Sequence, residues 1–300
     1  MLALLFPGQG IDLSATLAAW DGHSAYVSEL LDHAASAAGV LRSGLTAREC
    51  PALDRTEVLQ PVITALSLGI ARELTARGAD PAVVVGHSLG EVAALAMAGV
   101  FTPGGAVALS AIRGRAMARE AARKRGGMGA CHAAASDVKC AIRAAGADGV
   151  AIAAYNAPAQ TAVSGEESQL RRLARAITLT RLPVAGAWHS AAMADAVDEV
   201  RRAAERRLVG PPTRVWVANR HGLPVDSESE VPRLLAEQLV HPVQWIRSMQ
   251  TLRELGVSEV IALAAKPLRA LAQECLGAAV RVRRLMRPER LEDLCRASAG

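Results

Sequence analysis

The clearest candidate for chemistry is Ser88, within the sequence Gly86-His87-Ser88-Leu89-Gly90. This GxSxG pattern follows an apolar run, Val83–Val85, and precedes a helix-forming segment. That context is typical of a sharp strand–turn–helix corner, in which glycines let the backbone turn and the serine hydroxyl is exposed at the end of a sheet. The helix behind the turn directs free N–H groups to the same place, so the N–H of Leu89 is a natural oxyanion donor. The pattern predicts a nucleophilic serine.

A nucleophilic serine needs a base, and His189 is the best candidate among the histidines. It follows an apolar segment and precedes a predicted helix, so we expect it at a strand–helix junction like that of Ser88. His87 is adjacent to the serine, but its side chain should leave the turn in a different direction. No aspartate stands out as a third member of a triad. A triad and a dyad, in which a backbone carbonyl orients the imidazole, therefore both stay open. Four other histidines lie in polar or loop surroundings: His23, His33, His132 and His221.

Arg113 is the third candidate, because it interrupts an apolar stripe. Leu109, Arg113 and Met117 recur every four residues and share one face of a helix. An arginine on such a face must be paired or face a cavity. Near a nucleophilic serine, its guanidinium could hold a carboxylate through two parallel hydrogen bonds; a structural ion pair is the alternative. The other arginines of this helix fall on other faces and are predicted to be solvated: Arg115, Arg119 and Arg123.

The composition excludes several classes of protein. The chain has 300 residues, of which 51% are hydrophobic and 21% charged, so it is not disordered. It contains no run of eighteen apolar residues, and its first residues lack the basic region and cleavage site of a signal peptide. The five cysteines are scattered without CxxC spacing, which favours reduced thiols over disulfides or a metal site. We therefore expect a cytoplasmic protein with no membrane association and no metal.

The net charge of +5 does not by itself indicate a partner. Lysine is rare, whereas arginine and alanine are abundant. This composition indicates a bias of the whole chain as much as selection for an acidic partner. Aromatic residues make up only 3% of the chain, so the stacking surfaces that bind single-stranded nucleic acid are nearly absent. Nucleic acid is therefore not an expected partner.

Short apolar runs alternate with longer alanine-rich runs, the pattern of a parallel α/β sheet. We expect a catalytic core over 1–125 and 188–300. Its expected strands are Leu2–Phe6, Ala82–Val85, Arg214–Ala218 and Val260–Ala264. Its expected helices are Gln60–Thr75 with Pro61 in the first turn, Gly90–Ala98, Pro103 to about Arg125, Ala191–Leu208, Val231–Leu239 and Val243–Leu255. The arginine-rich tail from Arg281 is expected to be a solvated end.

The stretch 126–187 differs from the rest of the chain in its pattern of predicted strands and helices, and it is predicted to be an inserted subdomain. Gly126 and Gly127 are expected to stop the preceding helix, and Asn156-Ala157-Pro158 to form a turn. The elements then follow in a β-α-β-β-α-β order, which is that of a ferredoxin-like unit. They are expected at Met128–Ala133, Ser136–Ala145, Val150–Tyr155, Gln160–Ser164, Glu166–Ala176 and Thr180–Val184.

Seven motifs in order along the chain resemble those of the malonyl-CoA:acyl-carrier-protein transacylases and the acyltransferase domains of polyketide synthases. Any one is weak, but together they cover nearly the whole chain. They are Phe6–Gly10, Thr56–Pro61, Gly86–Glu91, Ile112–Met117, Tyr155–Pro158, Trp188-His189-Ser190 and Gln238–Trp245. The resemblance implies an α/β-hydrolase-like core with a ferredoxin-like insert, in agreement with the segmentation above.

The resemblance also implies roles. Ser88 would accept the acyl group, with His189 as its base, and the backbone N–H groups of Gln9 and Leu89 would form the oxyanion hole. Arg113 would bind the malonyl carboxylate, and the backbone carbonyl of Gln238 would orient the histidine. Malonyl-CoA would be the donor, an acyl carrier protein the acceptor, and no cofactor would be bound. The pocket would be lined by Gln60, Asn156, His87, Trp188 and Met117.

Three segments depart from the usual family pattern. Ile11 and Asp12 replace small or amide residues after the first glycines, Ala264–Arg269 replaces a glycine-rich GPGKVL-like segment, and His241 replaces an asparagine. The stretch Ala218–Val225 is similar to the transacylase subunit of malonate decarboxylase, so a malonate decarboxylase complex is the expected setting. Fatty-acid or polyketide synthesis is the alternative.

Two functions of other classes also remain as alternatives. A serine thioester hydrolase could use the same dyad, and the departures at Asp12 and Ala264–Lys266 leave open a catalytically idle interaction subunit. Basic residues near Arg119–Arg125 could dock an acidic carrier protein, or simply be solvated.

Overall fold

A computed structural model describes residues 1–45 and 50–298, with side chains up to residue 294. The strands are β1 Leu2–Phe6, β2 Val83–Gly86, β3 Gly126–Cys131, β4 Ala151–Ala157, β5 Gln160–Glu166, β6 Leu179–Arg181, β7 Val215–Val217, β8 Pro224–Val225, β9 Glu259–Leu263 and β10 Arg281–Leu285. The helices are α1 Leu13–Trp20, α2 Ala25–Ala38, α3 Arg42–Leu45, α4 Thr56–Ala76, α5 Gly90–Met97, α6 Pro103–Arg123, α7 Ala135–Ala144, α8 Glu167–Leu173, α9 Val197–Glu205, α10 Val231–Glu237, α11 Trp245–Glu254, α12 Lys266–Leu276 and α13 Leu291–Ser298.

The larger sheet has the strand order β10-β9-β1-β2-β7-β8. Its first five strands are parallel, and only the two-residue β8 pairs antiparallel. Strands β1 and β2 are buried throughout, as expected when helices cover both faces of a parallel sheet. The predicted α/β fold with a parallel core is confirmed.

Alternate residues of β1 enter two separate cores, because successive side chains of a strand point to opposite faces. Leu4 and Phe6 pack with the helices α2 and α4, whereas Leu5 packs with Trp245 and Met249 of α11. The carboxyl ends of β1 and β2 therefore lie between two filled helical layers, at the edge where ligands bind in open α/β sheets.

The smaller sheet has the order β4-β5-β3-β6, with every recorded pairing antiparallel. Its chain order β3-α7-β4-β5-α8-β6 is the predicted β-α-β-β-α-β order, with β3 between β5 and β6. This sheet is attached to the core through β4: the N–H of Val243 donates to the Ala153 carbonyl and that of Tyr155 to the Val243 carbonyl, each at 3.0 Å.

Several element boundaries differ from the predictions. The helix expected from Gln60 begins at Thr56, which places Pro61 in its second turn. The helix expected from Ala191 begins as a 3-10 turn over Ala191–Ala196. Gly126 and Gly127 start β3 rather than only stopping α6, and Asn156 and Ala157 belong to β4. Strand β6 ends at Arg181, so His189 does not directly follow a strand as predicted.

The prediction that the tail from Arg281 is a solvated end was wrong. Arg281–Leu285 forms the edge strand β10, paired in parallel with β9 from Arg281↔Glu259 to Leu285↔Leu263. Val282 and Leu285 turn into the cores while the arginines lie at the surface or half-buried. Val282 enters one core and Leu285 the other, because residues an odd number of positions apart on a strand point to opposite faces of the sheet. Five helices were not predicted: α1, α2, α3, α12 and α13.

None of the described helices is long and apolar enough to cross a membrane. Within residues 1–45 and 50–298, no group of three or more metal-ligating side chains is found.

Candidate active site

Ser88 lies in a strained turn between β2 and α5. Its φ is +53°, a left-handed conformation that is costly for a residue with a Cβ. The turn is possible because its glycines meet backbone on both sides: a Cβ on Gly86 would lie 2.0 Å from the Glu91 nitrogen, and one on Gly90 would lie 2.2 Å from the Phe6 oxygen. The predicted strand–turn–helix corner is therefore present.

The buried side chain of Asn219, just after β7, holds this turn in place. Its Oδ1 accepts the Ser88 N–H at 2.7 Å, and its Nδ2 donates to the Gly86 carbonyl at 2.5 Å. Two hydrogen bonds to the strained backbone help to offset the cost of the positive φ.

Ser88 and His189 form a hydrogen-bonded dyad across 101 positions of the chain. The Ser88 Oγ lies 2.7 Å from His189 Nε2, and His189 Nδ1 lies 2.7 Å from the Gln238 carbonyl. A carbonyl only accepts, so Nδ1 carries the proton and Nε2 is free to accept the serine proton. The third position is thus a backbone carbonyl, which decides between the two arrangements that the sequence left open.

His189 is also strained and buried. Its φ is +58°, and only 4% of its surface is exposed. Burial, with the nearby positive charge of Arg113 as the second cause, lowers the pKa of His189 to about 3. The imidazole is therefore neutral at physiological pH, the state that a general base requires.

Arg113 enters the site from the middle of α6 and is 1% exposed. Its Nη1 donates to Gln60 Oε1 at 2.8 Å and its Nη2 to Gln238 Oε1 at 2.9 Å, whereas its Nε has no partner among the described residues. Burial lowers the pKa of Arg113 to about 10, so the guanidinium stays charged at neutral pH. Its direct partners are neutral amides, which leaves the cation able to bind an anion.

Gln238 connects the charged groups of the site. Besides accepting from Arg113, its Nε2 donates to Glu91 Oε2 at 2.5 Å and to the Ser88 carbonyl at 2.9 Å. Reversing this amide would place its oxygen against two acceptors and its NH₂ against a guanidinium, so its orientation is fixed. Burial raises the pKa of Glu91 to about 8, and the charge of Arg113 acts in the opposite direction.

Two residues that line the same cavity as Ser88, Leu89 and Gln9, have backbone N–H groups with no acceptor among the described residues. Leu89 precedes the first turn of α5, where free N–H groups and the helix dipole favour negative charge. The Gln9 side chain is fixed by Thr56 Oγ1 at 2.7 Å and by the indole Nε1 of Trp188 at 3.2 Å. Both N–H groups are therefore free to donate, and their role as an oxyanion hole stays a prediction.

These groups surround a cavity of about 290 Å³ between the two sheets. Its walls are mainly apolar, with few polar groups, as in most small-molecule sites. Residues that the sequence singled out and that line it are Gln9, His87, Ser88, Leu89, Arg113, Met117, Asn156, Trp188 and His189. Gln60 and Gln238 are fully buried behind Arg113 rather than in the wall.

His87 points away from the serine hydroxyl, as predicted, and contacts the smaller sheet. Its Nε2 lies 2.9 Å from Asn156 Oδ1, and its ring packs edge-on against Trp245. Burial lowers the pKa of His87, so the neutral ring donates its Nε2 proton to the amide oxygen. This contact joins the turn that carries the nucleophile to the inserted subdomain.

Sequence reasoning missed Asn219 and Glu91 as parts of the site. Glu91 gave one available signal, since it follows the GxSxG pattern directly and an acidic residue in an alanine-rich helix is conspicuous. Asn219 gave none, because its partners are backbone atoms of a turn more than 130 positions away.

Comparison with known proteins agrees with this arrangement. The family described as the acyl transferase domain matches residues 7–281. The chain belongs to the acyl transferase family. One relative, the malonyl CoA-acyl carrier protein transacylase of Mycobacterium tuberculosis, is 35% identical over 270 residues, covering 87% of this chain and 88% of the relative.

Solved structures of acyl transferases share the fold over almost the whole length. The crystal structure of MCAT from Mycobacterium tuberculosis superposes with a TM-score of 0.88 at 32% identity, covering 98% of this chain and 99% of that one. A type II polyketide synthase acyl-carrier protein in complex with its malonyl-transacylase gives a TM-score of 0.91 at 25% identity, covering 99% of each chain. This acyl transferase therefore shares its fold with those structures over almost the whole of the chain given.

Proposed function

We propose that this acyl transferase moves a malonyl group from malonyl-CoA to Ser88 and then to the phosphopantetheine-type thiol of an acyl carrier protein. The observation that carries the proposal is Arg113, a charged guanidinium in the wall of the same cavity as the Ser88–His189 dyad. A cation at that place suits an acyl group that ends in a carboxylate. The named activities of the relatives support the same donor and acceptor.

The dyad can perform both halves of the exchange. His189 Nε2 takes the Ser88 proton while Oγ attacks the thioester carbonyl, and the N–H groups of Leu89 and Gln9 stabilise the oxyanion. Collapse breaks the carbon–sulfur bond, and the thiolate of CoA leaves with the proton from His189. The carrier thiol then attacks the malonyl ester, giving its proton to His189, and Ser88 is released with that proton.

Asn219 belongs to the segment Ala218–Val225, which resembles the malonate decarboxylase subunit, and its contacts do not depend on the carrier. Asn219 already has a role in holding the serine turn. Its presence is thus accounted for without a decarboxylase. We propose a carrier of fatty-acid or polyketide synthesis as the acceptor, and a carrier of the malonate decarboxylase type as the comparison.

The test is intact-mass analysis of the protein after incubation with malonyl-CoA, followed by addition of a carrier. We expect one malonyl group on the wild type and none on Ser88→Ala, with turnover reduced on the order of 10⁶-fold in that variant. The adduct should disappear when a holo-carrier is added. CoA release without an adduct or a carrier requirement would indicate a hydrolase, and no reaction at all would indicate an idle subunit; either result would overturn the proposal.

A further inference from the structure

A large cationic groove adjoins the catalytic cavity and has no part in the chemistry described above. It has a volume of about 1150 Å³, and its walls come from the start of α1, the start of α12, strand β10 and the residues that follow β10. Three residues, Gly10, Ile11 and Pro267, line both this groove and the catalytic cavity. The groove and the catalytic cavity therefore lie on either side of these three residues.

The charges of the groove are poorly balanced. Six cationic side chains line it against two carboxylates, Asp12 and Asp293. Asp12 caps α1 by accepting the Ala15 N–H, and Asp293 lies 3.7 Å from Arg290. Arg283 pairs with Glu259 outside the groove at 3.0 Å. Four exposed cations have no carboxylate partner among the described residues: Lys266, Arg269, Arg284 and Arg287.

Unpaired like charges in one groove repel each other, so an anion bound between them would stabilise the arrangement. Guanidinium groups bind phosphates through paired hydrogen bonds. The cations come from two walls, since Lys266 and Arg269 belong to α12 and Arg284 to β10. A concave site of this kind suits a small polyphosphate, whereas a docked protein generally covers a broader, flatter surface.

We infer that this groove binds the phosphates of the nucleotide end of the CoA donor while its acyl end occupies the catalytic cavity. The inference rests on the proposed function. CoA carries a pyrophosphate and a 3′-phosphate at the end remote from its thioester. Lys266 and Arg269, in a segment that departs from the family pattern, and Arg284 of β10 would then contribute to recognition of the donor.

The test compares donors with and without phosphates. In Arg284→Gln/Arg287→Gln, we expect the KM for malonyl-CoA to rise at least about tenfold, with kcat little changed, because charge-assisted hydrogen bonds to the phosphates are lost. The KM for malonyl-pantetheine, which has no phosphate, and that for the holo-carrier should stay the same. Adenosine 3′,5′-bisphosphate should compete with malonyl-CoA in the wild type and much more weakly in the variant. Raising the salt concentration should raise the KM of the wild type for malonyl-CoA, as the substitution does, because salt screens the charges of the groove.

The matched control is Arg202→Gln/Arg206→Gln, which removes the same charge from two exposed arginines that do not line the groove. An unchanged KM for malonyl-CoA in the groove variant would overturn the inference. So would an increase only in the KM for the carrier, since the groove would then dock that protein. Failure of the wild type to be acylated by malonyl-CoA or malonyl-pantetheine would instead contradict the proposed function, so the two failures are distinguishable.

Discussion

At the scale of single residues, the site combines a neutral base with a buried cation. Gln238 makes this possible, because its backbone carbonyl orients His189 while its side chain lies between Arg113 and Glu91. In a direct ion pair, the Glu91 carboxylate would occupy the hydrogen-bond donors of the Arg113 guanidinium. The Gln238 amide lies between the two groups instead, so guanidinium N–H groups stay free to bind a ligand. The Arg113 charge in turn helps to keep His189 unprotonated.

The role of Arg113 predicts a loss of activity that depends on the acyl group. In Arg113→Ala, we expect kcat/KM for malonyl-CoA to fall by the equivalent of roughly 2–5 kcal/mol, because the malonyl carboxylate would be buried without a partner. The loss for acetyl-CoA should be much smaller, arising only from the donors that Gln60 and Gln238 lose. Steady-state kinetics with both donors measures the difference. The control is Arg113→Lys, which keeps the positive charge but not the paired N–H donors of the guanidinium. Equal losses of kcat/KM for malonyl-CoA and acetyl-CoA in Arg113→Ala would rule out the assigned role.

The environment of His189 predicts an unusual pH dependence. Since the pKa of His189 is lowered to about 3, reaction of Ser88 with an uncharged phosphonofluoridate should show its acidic limb well below pH 6.5. Arg113→Gln should move that limb to higher pH, because a repelling charge is removed. An acidic limb near pH 6.5 in the wild type would contradict the assignment. By the same shift, the unfolded state takes up a proton before the folded state, so His189 makes the free energy of unfolding fall as pH drops from about 6.5 towards 3.

At the scale of elements, the site depends on the close approach of β1, β2 and α5. The apolar β2 strand and the GxSxG turn were predicted from sequence with boundaries within one residue, because local backbone sterics dictate them. Strand β10 was misread, because charged residues dominate it and its pairing with β9 depends on a partner distant from the local pattern. Helix α12 was also missed; it begins at Lys266, inside the segment Ala264–Arg269 that departs from the family pattern.

The close approach at Gly90 predicts a large stability effect for a single methyl group. In Gly90→Ala, the added Cβ would lie 2.2 Å from the oxygen and 2.6 Å from the carbon of the Phe6 carbonyl, where only backbone could move. We expect a loss of at least about 3 kcal/mol in the free energy of unfolding, measured by urea denaturation. Gly104→Ala is the matched control: its Cβ would be 3.5 Å from the His33 ring, and removing a helical glycine should stabilise by up to about 1 kcal/mol. A Gly90→Ala protein as stable as the wild type would contradict this packing.

At the scale of the whole molecule, the two sheets together make the cavity. The core provides the dyad and Arg113, and the insert provides Met128, Ala130 and Asn156. The basic end of α6, considered as a carrier-docking surface, is largely neutralised: Arg119 pairs with Glu199, Arg123 with Glu120, and Lys124 with Glu120 and Asp195. Paired surface charges contribute little to steering a partner, so that surface is a weak candidate for docking.

The bond between Asn156 and His87 predicts how strongly the insert is coupled to the nucleophile turn. Asn156→Ala would remove the acceptor of the half-buried His87 Nε2–H. Because burial lowers the pKa of His87, the ring is neutral and that nitrogen remains a donor in need of a partner. We expect a loss of about 1–3 kcal/mol in the free energy of unfolding, together with reduced kcat/KM. Gln160→Ala removes an amide from the same sheet and cavity but no hydrogen bond to the core, and it should change stability by less than about 0.5 kcal/mol. Equal losses in the free energy of unfolding for the two variants would mean that the Asn156–His87 bond does not couple the smaller sheet to the nucleophile turn.

Four features could be predicted from the amino-acid sequence: the parallel α/β core, the β-α-β-β-α-β order within 126–187, the turn at Ser88 and the apolar stripe that buries Arg113. All of these follow from local sterics and from hydrophobic periodicity, which act over a few neighbouring residues. Three others could be found only in the folded chain: the Gln238 carbonyl bound to His189, the support of the serine turn by Asn219, and the cationic groove beside the cavity. Those contacts join segments that meet only after the chain has crossed the sheet several times, and each depends on the direction of one side chain rather than on a repeating pattern.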